Sequence, residues 1–198
     1  MTCKIKYETL CAGRVGIEGC GVGFDFSGTV IRAPESSSFK TGDSIFGTAP
    51  PGHGTFSEEI VVPLDQVALK PPSLSFAEAA ALPLVGLTAL QSLKHDNGLD
   101  QGQHLLLIGA SGGVGHVACQ VAKALGAKVT AICSARNSDF VLALGADRVV
   151  DYSQGDAATL DGLRAAVNAL GAFHLCLDTV SSVESKDGNN YQVVVAYT

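Results

Sequence analysis

The sequence has no tryptophan, one methionine and little charge. Only 16% of its 198 residues are Asp, Glu, Lys or Arg, below the roughly 25% of ordinary domains. The net charge is −6 and no basic run occurs, which argues against a nucleic-acid partner. No apolar stretch reaches the ~18 residues of a membrane span. The opening MTCKIKYETL lacks the apolar core of a signal peptide. The six cysteines include no C-x-x-C pair, and the spacing of Cys3, Cys11 and Cys20 fits no metal-ligand pattern. His53, His95, His104, His116 and His174 show no paired metal spacing.

What is present is apolar and glycine-rich: 46% hydrophobic residues and 23 glycines. A chain of this length can bury roughly 70% of its unfolded surface, as one large domain or two small ones. Cys119, Cys133 and Cys176 fall inside apolar patterns, where a free thiol behaves as a small hydrophobe. Reduced thiols fit an intracellular protein better than a secreted disulfide framework.

The stretch 105–126, LLLIGASGGVGHVACQVAKALG, organises the rest. Residues 105–108 form the short apolar run of a buried parallel strand. Gly109, Gly112, Gly113 and Gly115 follow as a tight turn. Val114, Val117, Ala118, Val121, Ala122 and Leu125 then recur at helical spacing, and Gly126 stands where a C-terminal cap belongs. A helix start behind a glycine turn offers free amides and a positive dipole end to a phosphate. The turn reads Ala110-x-Gly112-x-x-Gly115, a dinucleotide-binding pattern with its first glycine replaced; the alternative is a purely structural βα turn. No Lys-Ser or Lys-Thr pair follows the glycines, which excludes a P-loop.

Residues 1–21 show no clear period and read as irregular. Residues 22–70 read as short strands separated by breakers: 29–31, 44–47, 55–62 and 67–69. Ser75-x-x-Glu78 is a capping box before an alanine-rich helix, and Pro83 opens a second helix over 84–93 that Asn97-Gly98 ends. From residue 103 the rhythm becomes strand–helix alternation. Strands are expected at 105–108, 129–132, 148–150, 173–177 and 191–196, with helices between, including 139–144 and 161–170. The fold class is therefore α/β: a doubly wound parallel (Rossmann) sheet with its ligand at the carboxyl ends of the strands, preceded by a β-rich part. The expected division is 1–80 and 81–198.

An NAD site places a carboxylate near the end of the second strand to hold the ribose hydroxyls. Here that strand ends in Ser134, Ala135, Arg136 and Asn137, and no carboxylate comes before Asp139. Ser134, Arg136 and Asn137 offer donors, and Arg136 can pair with a 2′-phosphate. NADPH is favoured over NADH.

Five stretches together resemble the medium-chain dehydrogenase/reductase superfamily: GFDFSGTV (23–30), GTFSEEIVV (54–62), AEAAALPLVGLTAL (77–90), GASGGVGHVACQVAKALGAKVTAICSARN (109–137) and LGADRVVDY (144–152). Within it they look like the zinc-independent, zeta-crystallin-type quinone oxidoreductases, with the run from Ala135 to Tyr152 most like the chloroplast-envelope homologues. The resemblance implies NADPH-dependent hydride transfer to a quinone or an α,β-unsaturated carbonyl, and a GroES-like β-rich domain before the Rossmann domain. By motif position Ser111, Gly112, Gly113 and Val114 line the pyrophosphate, and Thr88 lies near the nicotinamide-side phosphate. Ser134, Arg136, Asn137 and Tyr152 surround the adenosine 2′-phosphate. Zinc-dependent members carry Gly-His-Glu where this chain has Gly23-Phe24-Asp25, and phenylalanine cannot ligate a metal. The family's opening segments and its closing strands have no counterpart, so the chain reads as truncated at both ends. A catalytically inactive NADPH-binding or interaction module is the alternative function. No catalytic acid can be named. The remaining expectations are a small-molecule substrate, no nucleic acid, a homodimer, and a cytoplasmic location, or an organellar one if the natural N-terminus lies upstream.

Overall fold

The computed structural model describes residues 2–10, 22–50, 52–180 and 193–194. The chain divides into two compact units, Met1–Leu87 and Thr88–Thr198.

The first unit is an antiparallel sheet. Its strands are β1 (Thr2–Leu10), β2 (Asp25–Arg32), β3 (Ser44–Thr48), β4 (Glu59–Pro63) and β5 (Val67–Leu69), in the order β4-β1-β2-β3-β5. Buried Phe26, Val30, Ile45, Ala49, Ile60 and Val62 form its core. β1 corrects the expectation of an irregular start. Residues 2–10 alternate Thr, Cys, Lys, Ile, Lys, Tyr, Glu, Thr, Leu, a period of two that the glycine-rich stretch behind it obscures. The strand holds an interior place in the sheet, pairing with β2 on one side and β4 on the other. The strand expected over 55–62 is shorter. Thr55 and Phe56 both donate their amides to Val22 O (2.7 and 3.0 Å), and the Ser57 hydroxyl donates to Glu59 O (2.8 Å), so pairing begins only at Glu59. Cys11 and Cys20 lie outside the described residues.

Helix α1 (Phe76–Ala80) opens on the capping box read from the sequence. Ser75 Oγ accepts the Glu78 amide, and a Glu78 carboxylate oxygen accepts the Ser75 amide. Helix α2 (Pro83–Leu90) runs into a single π-type turn at Gln91–His95, and the chain reverses at Gly98 with φ +61°. At the start of α2 the Leu84 amide donates to Asp25 Oδ1 (2.9 Å). Burial raises the Asp25 carboxyl above its ordinary value, against the hydrogen bonds from Leu84 and Thr48.

The second unit is a parallel sheet with one reversed edge. Its elements are β6 (His104–Ile108), α3 (Gly113–Ala124), β7 (Lys128–Cys133), α4 (Ser138–Ala143), β8 (Arg148–Asp151), α5 (Asp156–Leu170), β9 (Leu175–Asp178) and β10 (Val193–Val194). The order is β10-β9-β6-β7-β8, with β9, β6, β7 and β8 parallel. The expected last strand pairs antiparallel to β9, so the sheet is not parallel throughout. Cys119, Cys133 and Cys176 are buried free thiols, and burial pushes Cys119 up to about 11.

His104, fully buried at the amino end of β6, ties this unit together. Its Nδ1 lies 2.8 Å from Gly171 O, a pure acceptor, so Nδ1 carries the proton. Nε2 then accepts the Thr130 hydroxyl at 2.8 Å. Burial lowers the ring's affinity for a second proton, against the Gly171 carbonyl. The unfolded chain takes up that proton as pH falls below the ordinary value of 6.5, so this contribution is full above that pH and lost as the solution is acidified. The expected result is a lower melting temperature at pH 5.5 than at pH 7.5, with His104→Gln flattening the slope. Asp147 contributes in a separate, more acidic window. Burial raises its pKa, but Lys123 Nζ (2.8 Å) and the Val129 amide (2.7 Å) outweigh that and hold it below 3.8.

Candidate functional site

β6 lies between β9 and β7, at the point where the strand order reverses: the chain runs outward through β7 and β8 and returns to β9 on the other side of β6. That is the place in a doubly wound sheet where a crevice opens beyond the strand ends. The chain leaves β6 through Gly109, which has φ +77°. The amides of Gly109 and Ala110 both donate to Ile132 O (3.1 Å each), which fastens the turn to β7. Gly112 caps α3 and donates back to Gly109 O (2.9 Å). A β-carbon at residue 115 would overlap Gly109 O and stand 2.8 Å from Ala110 Cα. Glycine there lets helix and turn approach closely.

The consequence is a cradle of donors. The first helical bond of α3 is His116 N to Gly112 O (3.0 Å), and no side chain caps the helix. The amides of Gly113, Val114 and Gly115 have no acceptor among the described residues, as the first turn of any helix leaves them. Such a helix start, with its dipole, is a favourable place for an anion. Val114 contributes through its amide, since its side chain packs against the core.

A second cluster stands at the end of β7. Asn137 Nδ2 donates to Ser111 Oγ (3.0 Å) and to Ser134 Oγ (3.2 Å). One side chain thereby joins the glycine turn to the donor-rich turn after β7. Arg136 is exposed and has no ion-pair or hydrogen-bond partner among the described residues. Asp151, at the end of the neighbouring β8, is committed elsewhere. Its Oδ1 accepts the amides of Ala135 (2.9 Å) and Ser153 (2.9 Å), and the Ser153 hydroxyl and Gln154 bind it as well. These bonds, Ser153 first, hold its pKa below the ordinary value. Asp139 is exposed in the first turn of α4.

Between the two clusters lies a cleft of about 450 Å³. Gly109, Ser111 and Gly112 line it on one side, and the exposed Tyr152 on another. Thr179 and Val180, which follow β9, close it and were absent from the sequence reading. Thr179 donates its amide (3.1 Å) and hydroxyl (2.8 Å) to Ile108 O. The signal for them was the rule that ligands sit past strand ends, applied to the Leu177-Asp178-Thr179 terminus. Cys133 also lines the cleft, with its thiol raised by burial. Thr88 is half-buried on α2 and is not part of this lining. Of the expected residues, Ser111, Gly112 and Tyr152 line this cleft, whereas Gly113, Val114, Ser134, Arg136 and Asn137 are not among its lining residues.

This donor set fits a dinucleotide. Three amides at the start of α3 and the Arg136 guanidinium have no partner among the described residues, Ser111 lines the cleft, and the glycines keep helix and turn close-packed. Among the described residues no group of three or more His, Cys, Asp or Glu could hold a metal ion, and no helix is long and apolar enough to cross a membrane.

A family profile described as zinc-binding dehydrogenase matches residues 113–188. The chain is 41% identical over 165 residues to the mitochondrial NAD(P)H oxidoreductase RTN4IP1 of Mus musculus, covering 80% of this chain and 40% of that protein. It is 41% identical over 143 residues to the chloroplast envelope quinone oxidoreductase homolog of Arabidopsis thaliana, covering 69% and 44%. Among solved structures, the quinone oxidoreductase from Coxiella burnetii superposes with a TM-score of 0.69 at 32% identity, covering 79% of this chain and 55% of that one. The chain therefore spans less than half the length of these curated relatives.

Proposed function

Since this chain belongs to the medium-chain dehydrogenase/reductase superfamily, among the quinone oxidoreductase homologues, we propose that it binds NADPH in the cleft of the second unit and reduces a quinone or an α,β-unsaturated carbonyl. The observation that carries the cofactor reading is the pairing of an Arg136 without a partner among the described residues with the lack of any Asp or Glu between Cys133 and Asp139. The amides of residues 113–115 and the Ser111 hydroxyl hold the pyrophosphate. Arg136 and Ser134 take the 2′-phosphate, Tyr152 flanks the adenosine, and Thr88 reaches the nicotinamide-side phosphate. When bound, the reduced nicotinamide supplies a hydride. The chain's part is to bind and orient the reactants, and water supplies the proton that completes the quinol or saturated carbonyl. No metal enters this proposal: Phe24 replaces the histidine of zinc-dependent members, and Asp25 is engaged by the Leu84 amide.

The test is an NADPH titration of the chain followed by nicotinamide fluorescence, with NADH alongside, then NADPH oxidation in the presence of a simple quinone. The expected result is saturable binding at least about 10-fold tighter for NADPH, the low end of a charge-assisted contact, followed by quinone-dependent oxidation. A folded chain that binds neither cofactor overturns the reading. Binding without oxidation supports the second reading, a cofactor-binding module. A homodimer, and a cytoplasmic or organellar site, belong to the same proposal; size-exclusion chromatography with light scattering tests the first.

A further inference from the structure

We infer that Asn137 is a positioning residue that couples the pyrophosphate and 2′-phosphate subsites by aiming the hydroxyl protons of Ser111 and Ser134 at them. The inference rests on the cofactor site proposed above and goes beyond it, because Asn137 is there assigned no contact with phosphate.

The geometry carries the argument. Asn137 Nδ2 has two protons, and both are directed into the protein, one to Ser111 Oγ at 3.0 Å and one to Ser134 Oγ at 3.2 Å. Both protons are thereby engaged within the protein. A serine hydroxyl accepts through its lone pairs and donates through its single proton. Once each oxygen accepts from Asn137, each O–H is directed away from the amide. Ser111 lines the cleft with Gly109 and Gly112. Ser134 itself opens the turn that carries the exposed Arg136. An anion accepts hydrogen bonds and cannot donate them, so a hydroxyl preset as a donor meets it without reorienting. Ser111 lies 26 residues from Asn137 and Ser134 lies three, so the bridge fixes the distance between two turns on different strands. One half-buried amide thus sets both the donors and their separation.

The experiment is a double-mutant cycle on cofactor binding, read by nicotinamide fluorescence. Asn137→Leu removes the donors at similar volume, and Asn137→Ala serves as a second variant. Each is combined with Ser111→Ala and with Ser134→Ala, and circular dichroism and melting confirm the fold. Losing preset neutral donors weakens binding by about 3- to 10-fold per subsite. Asn137→Leu is therefore expected to weaken NADH through Ser111, to weaken NADPH further through Ser134, and so to lower the NADPH:NADH ratio. In the Ser134→Ala background the ratio should no longer respond to Asn137→Leu, and in the Ser111→Ala background NADH affinity should no longer respond. Full additivity in both backgrounds, or a lower melting temperature with unchanged cofactor affinities, overturns the inference and leaves Asn137 as a purely structural bridge. If the wild-type chain shows no preference for NADPH, the cofactor reading itself fails, independently of this cycle.

Discussion

Gly115→Ala is expected to melt about 10 °C below the wild-type chain and to lose cofactor binding. The cause is backbone, not side chain. The added methyl would overlap Gly109 O and stand 2.8 Å from Ala110 Cα, and neither atom has a rotamer to escape into. Overpacking a tight site costs about 1–3 kcal/mol, and more where the backbone must move. One kcal/mol shifts the midpoint of a domain near 100 residues by roughly 4–8 °C. Relief requires α3 to retreat from the turn, which carries the free amides of residues 113–115 away from their common focus. Stability and binding should therefore fall together. Gly86→Ala is the contrasting control. Gly86 lies in α2, and nothing stands within 4 Å of its missing β-carbon. Alanine there should stabilise by up to about 1 kcal/mol through helix propensity alone. Differential scanning fluorimetry of the two variants checks both signs.

The second large effect concerns cofactor choice. Arg136→Gln is expected to weaken NADPH by roughly 10- to 150-fold, the equivalent of one charge-assisted hydrogen bond at ~1.5–3 kcal/mol, and to leave NADH almost unchanged. Arg136 is exposed and free of ion pairs among the described residues. Its removal thus strands no buried partner, and any effect must come from the ligand. Exposure also places the value toward the lower end of that range and makes it sensitive to salt. NADPH affinity of the wild-type chain should fall as ionic strength rises, and that of Arg136→Gln much less. Equal losses for NADPH and NADH would show that Arg136 supports the turn instead of reading the 2′-phosphate.

The sequence was most legible where local pattern and local structure coincide. The β6–turn–α3 unit combines an apolar run, spaced glycines and a helical stripe within residues 104–124, and each has one structural meaning. The Ser75–Glu78 box is equally local, and its bonds form as spelled. Legibility failed where the cause is distant. Nothing near His104 in sequence marks it as buried, because its partners are Thr130 and Gly171, brought in by neighbouring strands. Thr179 and Val180 line the cleft only because β9 pairs with β6, a register contact between residues about 70 apart. The bridge from Asn137 to Ser111 was equally illegible, since it joins residues on turns after different strands. The alternation in residues 2–10 was visible but weak, diluted by the glycines that follow.

The link from Ser111 through Asn137 to Ser134 also bears on how such a site can change over generations. A lineage that replaces Arg136 first keeps both turns in register and can drift toward NADH in single steps. A lineage that replaces Asn137 first disturbs two subsites at once, and a later change at Ser111 or Ser134 then has nothing left to lose. The same substitutions taken in different orders meet different barriers, and the order is written in one shared side-chain amide.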